Sequence, residues 1–151
     1  LRLYVVHLAS TSFQPEDYAY LSRLKKDIET KEEDVVSGKR ILKRLKHAFI
    51  RRGEQVAILK AHMNECPTPF VVMGDFNDTP VSYTISQLTK NIKNAFAEKG
   101  SGFAITYNGE FPNFQIDYIL TSQDFQVQSY KVVKKSYSDH YPVRTNVSLA
   151  D

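Results

Sequence analysis

Three observations predict a mixed α/β chain, α+β in its arrangement. A short apolar run, Phe70 to Met73, stands between the turn at residues 66–69 and Gly74, as a buried strand does. From Pro15 to about Met63, apolar residues recur at helical spacing against charged ones. Beyond Gly102, short β-rich segments follow one another between turn residues. With 151 residues, 42% of them hydrophobic, the chain is the size of one domain with a core of its own.

The elements follow in order. Leu1 to Val6 reads as a strand, with Leu1, Leu3 and Val5 on one side and His7 in phase at its end. A Ser/Thr-rich turn leads to Pro15, Glu16 and Asp17, a helix start. Leu21, Leu24 and Ile28 form one short stripe; Ile41, Leu42, Leu45, Phe49, Val56 and Leu59 form a longer one, with Lys and Arg opposite. A break between the two helices is placed at Val35 to Gly38, with Ser37 as the cap. After the strand at Phe70, Tyr83 to Leu88 reads as a short helix that Ile92 to Phe96 continues or follows. AITY, FQIDYIL, FQVQSYKVV and PVRTNVSL read as strands. In the last, Val143, Thr145, Val147 and Leu149 alternate with polar residues, the pattern of a half-buried antiparallel strand.

Composition bounds the function. A net charge of +3 permits an anionic substrate without demanding nucleic acid. The single cysteine, Cys66, excludes an intrachain disulfide framework. No apolar run approaches membrane-spanning length, and no signal peptide is visible. The chain opens at Leu1 in sequence that is already strand-like, so it is read as starting within a domain, with its compartment unassigned.

The groups able to do chemistry are His7, Asp75 with Asn77, Asp117, and Asp139 with His140. In VVMGDFNDTP, Gly74 allows a close turn, and Asp75 and Asn77 leave the strand two residues apart, able to point to one side of the sheet. One charged and one neutral oxygen donor suit a hard divalent cation or a phosphate-bound water. Asp117 lies among Ile116, Tyr118, Ile119 and Leu120, where a carboxylate is costly to bury without a partner. Histidine is the obvious partner. His47 and His62 fall on the charged helices, which leaves His7 and His140 at strand ends. Asp117 on His140 would orient the ring and raise its basicity, with Asp139 facing another way.

MGDFNDTP, QIDYILTS and YSDHYPV, in that order, resemble the endonuclease/exonuclease/phosphatase superfamily and its DNase-I-like fold, and the opening VVHLAS fits that family's histidine-ended strand. The style of TPVSYT, GFAITY and the Arg-rich helix is similar to bacterial members. The resemblance implies a four-layer α/β sandwich of two similar halves, with residues 1–151 as the C-terminal portion of a single domain. It implies a Mg²⁺- or Mn²⁺-dependent phosphoesterase acting on a phosphodiester or phosphomonoester by in-line attack of water. Asp75 would orient or deprotonate the water, and Asn77 would hold the phosphate or transition state. His140, oriented by Asp117, and His7 would contact the phosphate, and Asp139 would help bind the metal. The other half of the domain would supply an Asn, the principal metal-ligating Glu and the acid that partners His7. Gln115 departs from the family, where Arg is usual.

Substrates across this superfamily include DNA, RNA, phosphoinositides, sphingomyelin and nucleotides. Nucleic acid is not favoured, because KRILKRLK and FIRR read first as the solvated face of helices with a core to cover. The rival reading is a non-catalytic module that binds phosphate or a lipid headgroup. It would need a broken catalytic set, whereas Asp75, Asn77, Asp117, Asp139 and His140 are all present.

Overall fold

The apolar run at Phe70 becomes the inside of a sheet. The structure, a computed structural model, describes residues 1–26, 32–110 and 112–150. Strand β2 (Phe70–Asp75) pairs in parallel with β1 (Arg2–His7) and antiparallel with β4 (Asp117–Thr121), and the short β3 (Lys93–Asn94) completes the order β1-β2-β4-β3. Paired on both edges, β2 is apolar in consecutive residues, and Phe70, Val71 and Val72 are all buried. Parallel pairing of β1 and β2 requires a long crossover, which helices α1 (Pro15–Lys26) and α2 (Glu32–Asn64) provide. Strands β5 (Phe125–Val132) and β6 (Val143–Leu149) form a separate antiparallel pair.

The core lies between α2 and the sheet. Val56, Leu59 and Met63 pack with Phe70, Val72, Tyr118 and Leu120, and with Ile85 and Leu88 of α3 (Tyr83–Leu88). Phe76 and Tyr118 meet edge to face at 5.4 Å. Strand β1 lies at the sheet edge and keeps the expected alternation. Tyr4 and Val6 pack on the core, while Leu1, Leu3 and Val5 face outward and are exposed. No helix among the described residues is long and apolar enough to cross a membrane.

Several expectations are corrected. Val35 to Gly38 lies inside α2, so Ser37 is no cap. A helix tolerates one glycine at about 1 kcal/mol, and Asp34 here is buried and paired with Arg23. Residue 28 of the first stripe lies outside the described residues. Leu42 and Phe49 are exposed; the buried line of α2 instead runs through Ile41, Ala48, Arg52, Val56, Leu59 and Met63. Ile92 to Phe96 does not extend α3. Asn94 caps α4 (Ala95–Lys99) by accepting the Phe96 N–H. AITY makes only an isolated bridge, Tyr107 to His140, and FQIDYIL becomes a strand only at Asp117. The reason is local: Thr106 Oγ1 accepts the N–H groups of both Ile116 and Asp117, replacing ladder bonds.

Candidate active site

Strand register brings the chemistry together. His7 is the β1 partner of Asp75, and Asp75 is the β2 partner of Asp117, so three neighbouring strands present these residues in one row. Asp117 Oδ2 lies 2.9 Å from His140 Nδ1, which joins the loop leading into β6 to the row. His7 Nε2 stands 3.6 Å from Asp75 Oδ2 and is largely exposed. A cavity of about 390 Å³ opens beside Asp117 and His140, with Met73, Ile119 and Tyr141 in its wall.

The turn after β2 is shaped by its backbone. Gly74 has φ +142°, and a Cβ there would lie 1.9 Å from the Val6 carbonyl oxygen, so β1 and β2 approach here as only glycine allows. Asn77 sits in the left-handed region at φ +50°. Its backbone N–H donates to Asp75 Oδ1 at 2.7 Å, and its Nδ2 donates to Asp75 Oδ2 and to the Leu8 carbonyl, both at 3.0 Å. The amide oxygen of Asn77 accepts no hydrogen bond among the described residues. It is available to a ligand.

Charges in the row act on one another. Burial pushes the Asp75 carboxyl above the usual carboxylate range; Asp117 adds to this, while the Asn77 N–H, His140 and His7 oppose it. Burial alone would lower His140, but the hydrogen bond and charge of Asp117, with Asp75 and Asp139, outweigh it and raise the imidazole. Asp139 is exposed, and its carboxylate makes no hydrogen bond or ion pair among the described residues. Its backbone carbonyl accepts the Asn108 N–H at 2.6 Å. No group of three or more His, Cys, Asp or Glu among the described residues is arranged to hold a metal.

Behind the row sits a buried clamp that the sequence reading passed over. Arg52 is 1% exposed; its Nε donates to Asp78 Oδ2 at 3.0 Å, and its Nη1 donates to the Ala9 carbonyl at 2.9 Å. Gln55 Oε1, also on α2, accepts the Ala9 N–H at 2.8 Å. Tyr118 Oη donates to the carbonyls of Asp78 and Gln115. Arg52 and Gln55 thereby tie the segment after His7 to the loop that carries Asp75 and Asn77. A signal was present: Arg52 falls in phase with Ala48 and Val56, where a buried charge needs a partner. Gln115 is buried, and its Nε2 has no partner among the described residues.

This architecture has known counterparts. A mannosyl-6-phosphatase from Bacteroides thetaiotaomicron VPI-5482 matches with TM-score 0.57 and 20% identity over 66% of this chain and 46% of its own. An endonuclease/exonuclease/phosphatase from Bacteroides vulgatus matches with TM-score 0.59 and 23% identity over 66% and 44%. The human Nocturnin catalytic domain, with bound sulfate, matches with TM-score 0.52 and 21% identity over 71% and 42%. The chain thus spans less than half the length of each of these structures. No curated protein matches the sequence. At these identities the likeness establishes the DNase-I-like fold. The model of the Endonuclease/Exonuclease/phosphatase family matches residues 16–140, most of the chain. The chain belongs to the endonuclease/exonuclease/phosphatase family.

Proposed function

We propose that this chain forms the water-activating and phosphate-holding part of a divalent-metal-dependent phosphoesterase. The reaction is hydrolysis of a phosphodiester or phosphomonoester by in-line attack of water. The observation that carries the reading is the Asp117–His140 contact at 2.9 Å, set one strand away from Asp75 with its Asn77 partner. In-line hydrolysis needs a positioned water, charge on the phosphoryl oxygens held, and a proton for the leaving oxygen.

Asp75 orients the water and accepts its proton. Asn77, both of whose Nδ2 hydrogens are engaged, holds the metal-bound phosphoryl group through its amide oxygen, which would face the ion or one of its waters. His140, made more basic by Asp117, faces the developing charge. His7, largely exposed beside Asp75, is the second phosphate contact. The oxygen donors of Asp75, Asn77 and Asp139 fit in kind a Mg²⁺ or Mn²⁺ that keeps most of its waters and takes only one or two carboxylates. Such an ion supplies Lewis-acid neutralisation of phosphoryl charge. In this reading residues 1–151 are the C-terminal portion of the domain, and a further segment supplies the principal metal carboxylate. The exposed side of β1, with Leu1, Leu3 and Val5, supports a place for such a segment. A phosphatase among the structural relatives supports a phosphoester substrate.

A non-catalytic binding module would need the Asp117–His140 pair or the Asp75–Asn77 turn to be dismantled, and neither is. The test is a phosphoester panel with Mg²⁺ or Mn²⁺ on the full-length protein and its Asp75→Asn variant. Metal-dependent hydrolysis that the variant loses supports the reading. Binding of phosphate without turnover of any substrate would replace it with the binding module.

A further inference from the structure

We propose that the basic cavity between α2 and the segment after His7 is a second anion subsite, taking a phosphate group of the substrate other than the one hydrolysed. This rests on the phosphoesterase reading above. The cavity, about 390 Å³, is lined by Ser10, Thr11 and Ser12 on one side and by Arg40, Lys43, Arg44, His47 and Arg51 on the other. The basic residues recur at helical spacing, so α2 presents them on one face.

These cations are not merely a solvated surface. Asp17, fully buried on α1, binds Arg40 Nε at 2.7 Å and Arg44 Nε at 3.0 Å. Arg44 Nη1 also donates to the Ser12 carbonyl at 3.1 Å. Arg40 is therefore held through its Nε hydrogen bond and Arg44 through Nη1 and its charge contact with Asp17, and among the described residues both Nη groups of Arg40 and Nη2 of Arg44 remain as donors. One carboxylate is shared by two of the four permanent cations and offsets one charge, and Lys43 and Arg51 have no ion-pair partners among the described residues. Like charges along one helix face are unfavourable, and an anion bound there relieves the repulsion. Fixed, planar, paired guanidinium groups are the donors that suit phosphate oxygens.

Position links the cavity to the reaction. Ser10 follows His7 by three residues, a reach on the order of 10 Å at full extension. Between them Leu8 is held by Asn77, and Ala9 by Arg52 and Gln55. The volume is at the small end of ligand sites. It matches a compact phosphate group better than a strand-length track, so we infer a small substrate bearing two phosphates rather than a polynucleotide.

The test uses the full-length protein with Lys43→Gln/Arg51→Gln, which leaves the Asp17 pairs intact, and Lys131→Gln/Lys135→Gln, on β5 and just after it and outside the cavity lining, as the charge control. Calorimetry with inorganic pyrophosphate reads binding without catalysis. Kinetics then compare two substrates with the same scissile ester, one carrying a second phosphate. The proposal expects pyrophosphate to bind roughly tenfold more weakly to the first variant, about one charge-assisted contact, and no change in the control. The KM for the two-phosphate substrate rises by a similar factor relative to the other. Unchanged pyrophosphate affinity, or an equal KM rise for both substrates, overturns it. So does a loss confined to single-stranded oligonucleotide, which would make the face a nucleic-acid track. If no substrate is turned over but pyrophosphate affinity falls as expected, the subsite stands and the phosphoesterase reading is what fails.

Discussion

Asp75 and Asp117 stand directly opposite each other in the β2–β4 ladder, two carboxylates at the same level of adjacent strands. Like charges in such a pair oppose each other, and the arrangement persists because each has its own partner: Asn77 for Asp75 and His140 for Asp117. The pairing separates the roles. Asp75 is pushed toward holding a proton, and His140 is pushed toward keeping one.

That separation predicts a pH profile. Activity requires Asp75 ionised and His140 protonated, so kcat/KM is bell-shaped. The acid limb lies above the ordinary aspartate value of about 3.9 and the alkaline limb above the ordinary imidazole value of about 6.5. Asp117→Asn moves the alkaline limb down, because the raising hydrogen bond and charge are lost. For stability the sign is the same: the His140–Asp117 ion pair contributes fully below the unfolded imidazole value, and the contribution is lost as pH rises through the higher folded one. An alkaline limb that Asp117→Asn leaves in place contradicts the assignment.

Asn77 can be separated from its backbone. Asn77→Gly retains the left-handed conformation at φ +50°, so stability falls by no more than about 1–2 kcal/mol. Activity falls about tenfold to a hundredfold, as for loss of a group that positions the metal or its water. Asn77→Ala adds a backbone penalty of about 1 kcal/mol. Urea unfolding beside kinetics checks both, and a fully active Asn77→Gly enzyme would remove Asn77 from the site.

Gly74 tolerates no side chain. With the Val6 carbonyl 1.9 Å from an added Cβ and φ at +142°, Gly74→Ala costs more than about 4 kcal/mol or prevents folding. Thermal unfolding checks this; a change within about 1 kcal/mol would mean that β1 and β2 can separate cheaply.

The Arg52 clamp is a positioning device. Arg52→Met strands the buried Asp78 carboxylate and costs about 3–5 kcal/mol, while the double change with Asp78→Leu recovers much of it. Gln55→Leu leaves the Ala9 N–H without its acceptor at a cost of about 1–3 kcal/mol. Because Ala9 follows His7 closely, Gln55→Leu also raises KM more than it lowers kcat. Stability loss with unchanged KM would make the clamp purely structural.

Much of this was legible in residue patterns. The strand at Phe70, the bounds of the helix Tyr83–Leu88 and the alternation of β6 as far as Val147 are local signals that survive tertiary packing; the expectation fails at Leu149, which is exposed at the strand's end. Asp117 announced a need for a partner, and that partner is His140. The unread features depend on distant segments. Gly38 sits within a helix because Asp34, before it, is locked to Arg23 on α1. Arg52 looked like solvated charge because its partners, Asp78 and Ala9, come from two remote loops. AITY failed as a strand because Thr106 uses its hydroxyl to bind the backbone beside Asp117.

The most direct measurement is metal-dependent phosphoester hydrolysis by the full-length protein, compared with His140→Ala, Asp117→Asn and the double variant. The account predicts that His140→Ala lowers kcat/KM by about 10²–10⁴, that Asp117→Asn lowers it by at least about tenfold, and that the double variant is no worse than His140→Ala. Fully additive losses, or wild-type activity in His140→Ala, would contradict a site built on this pair.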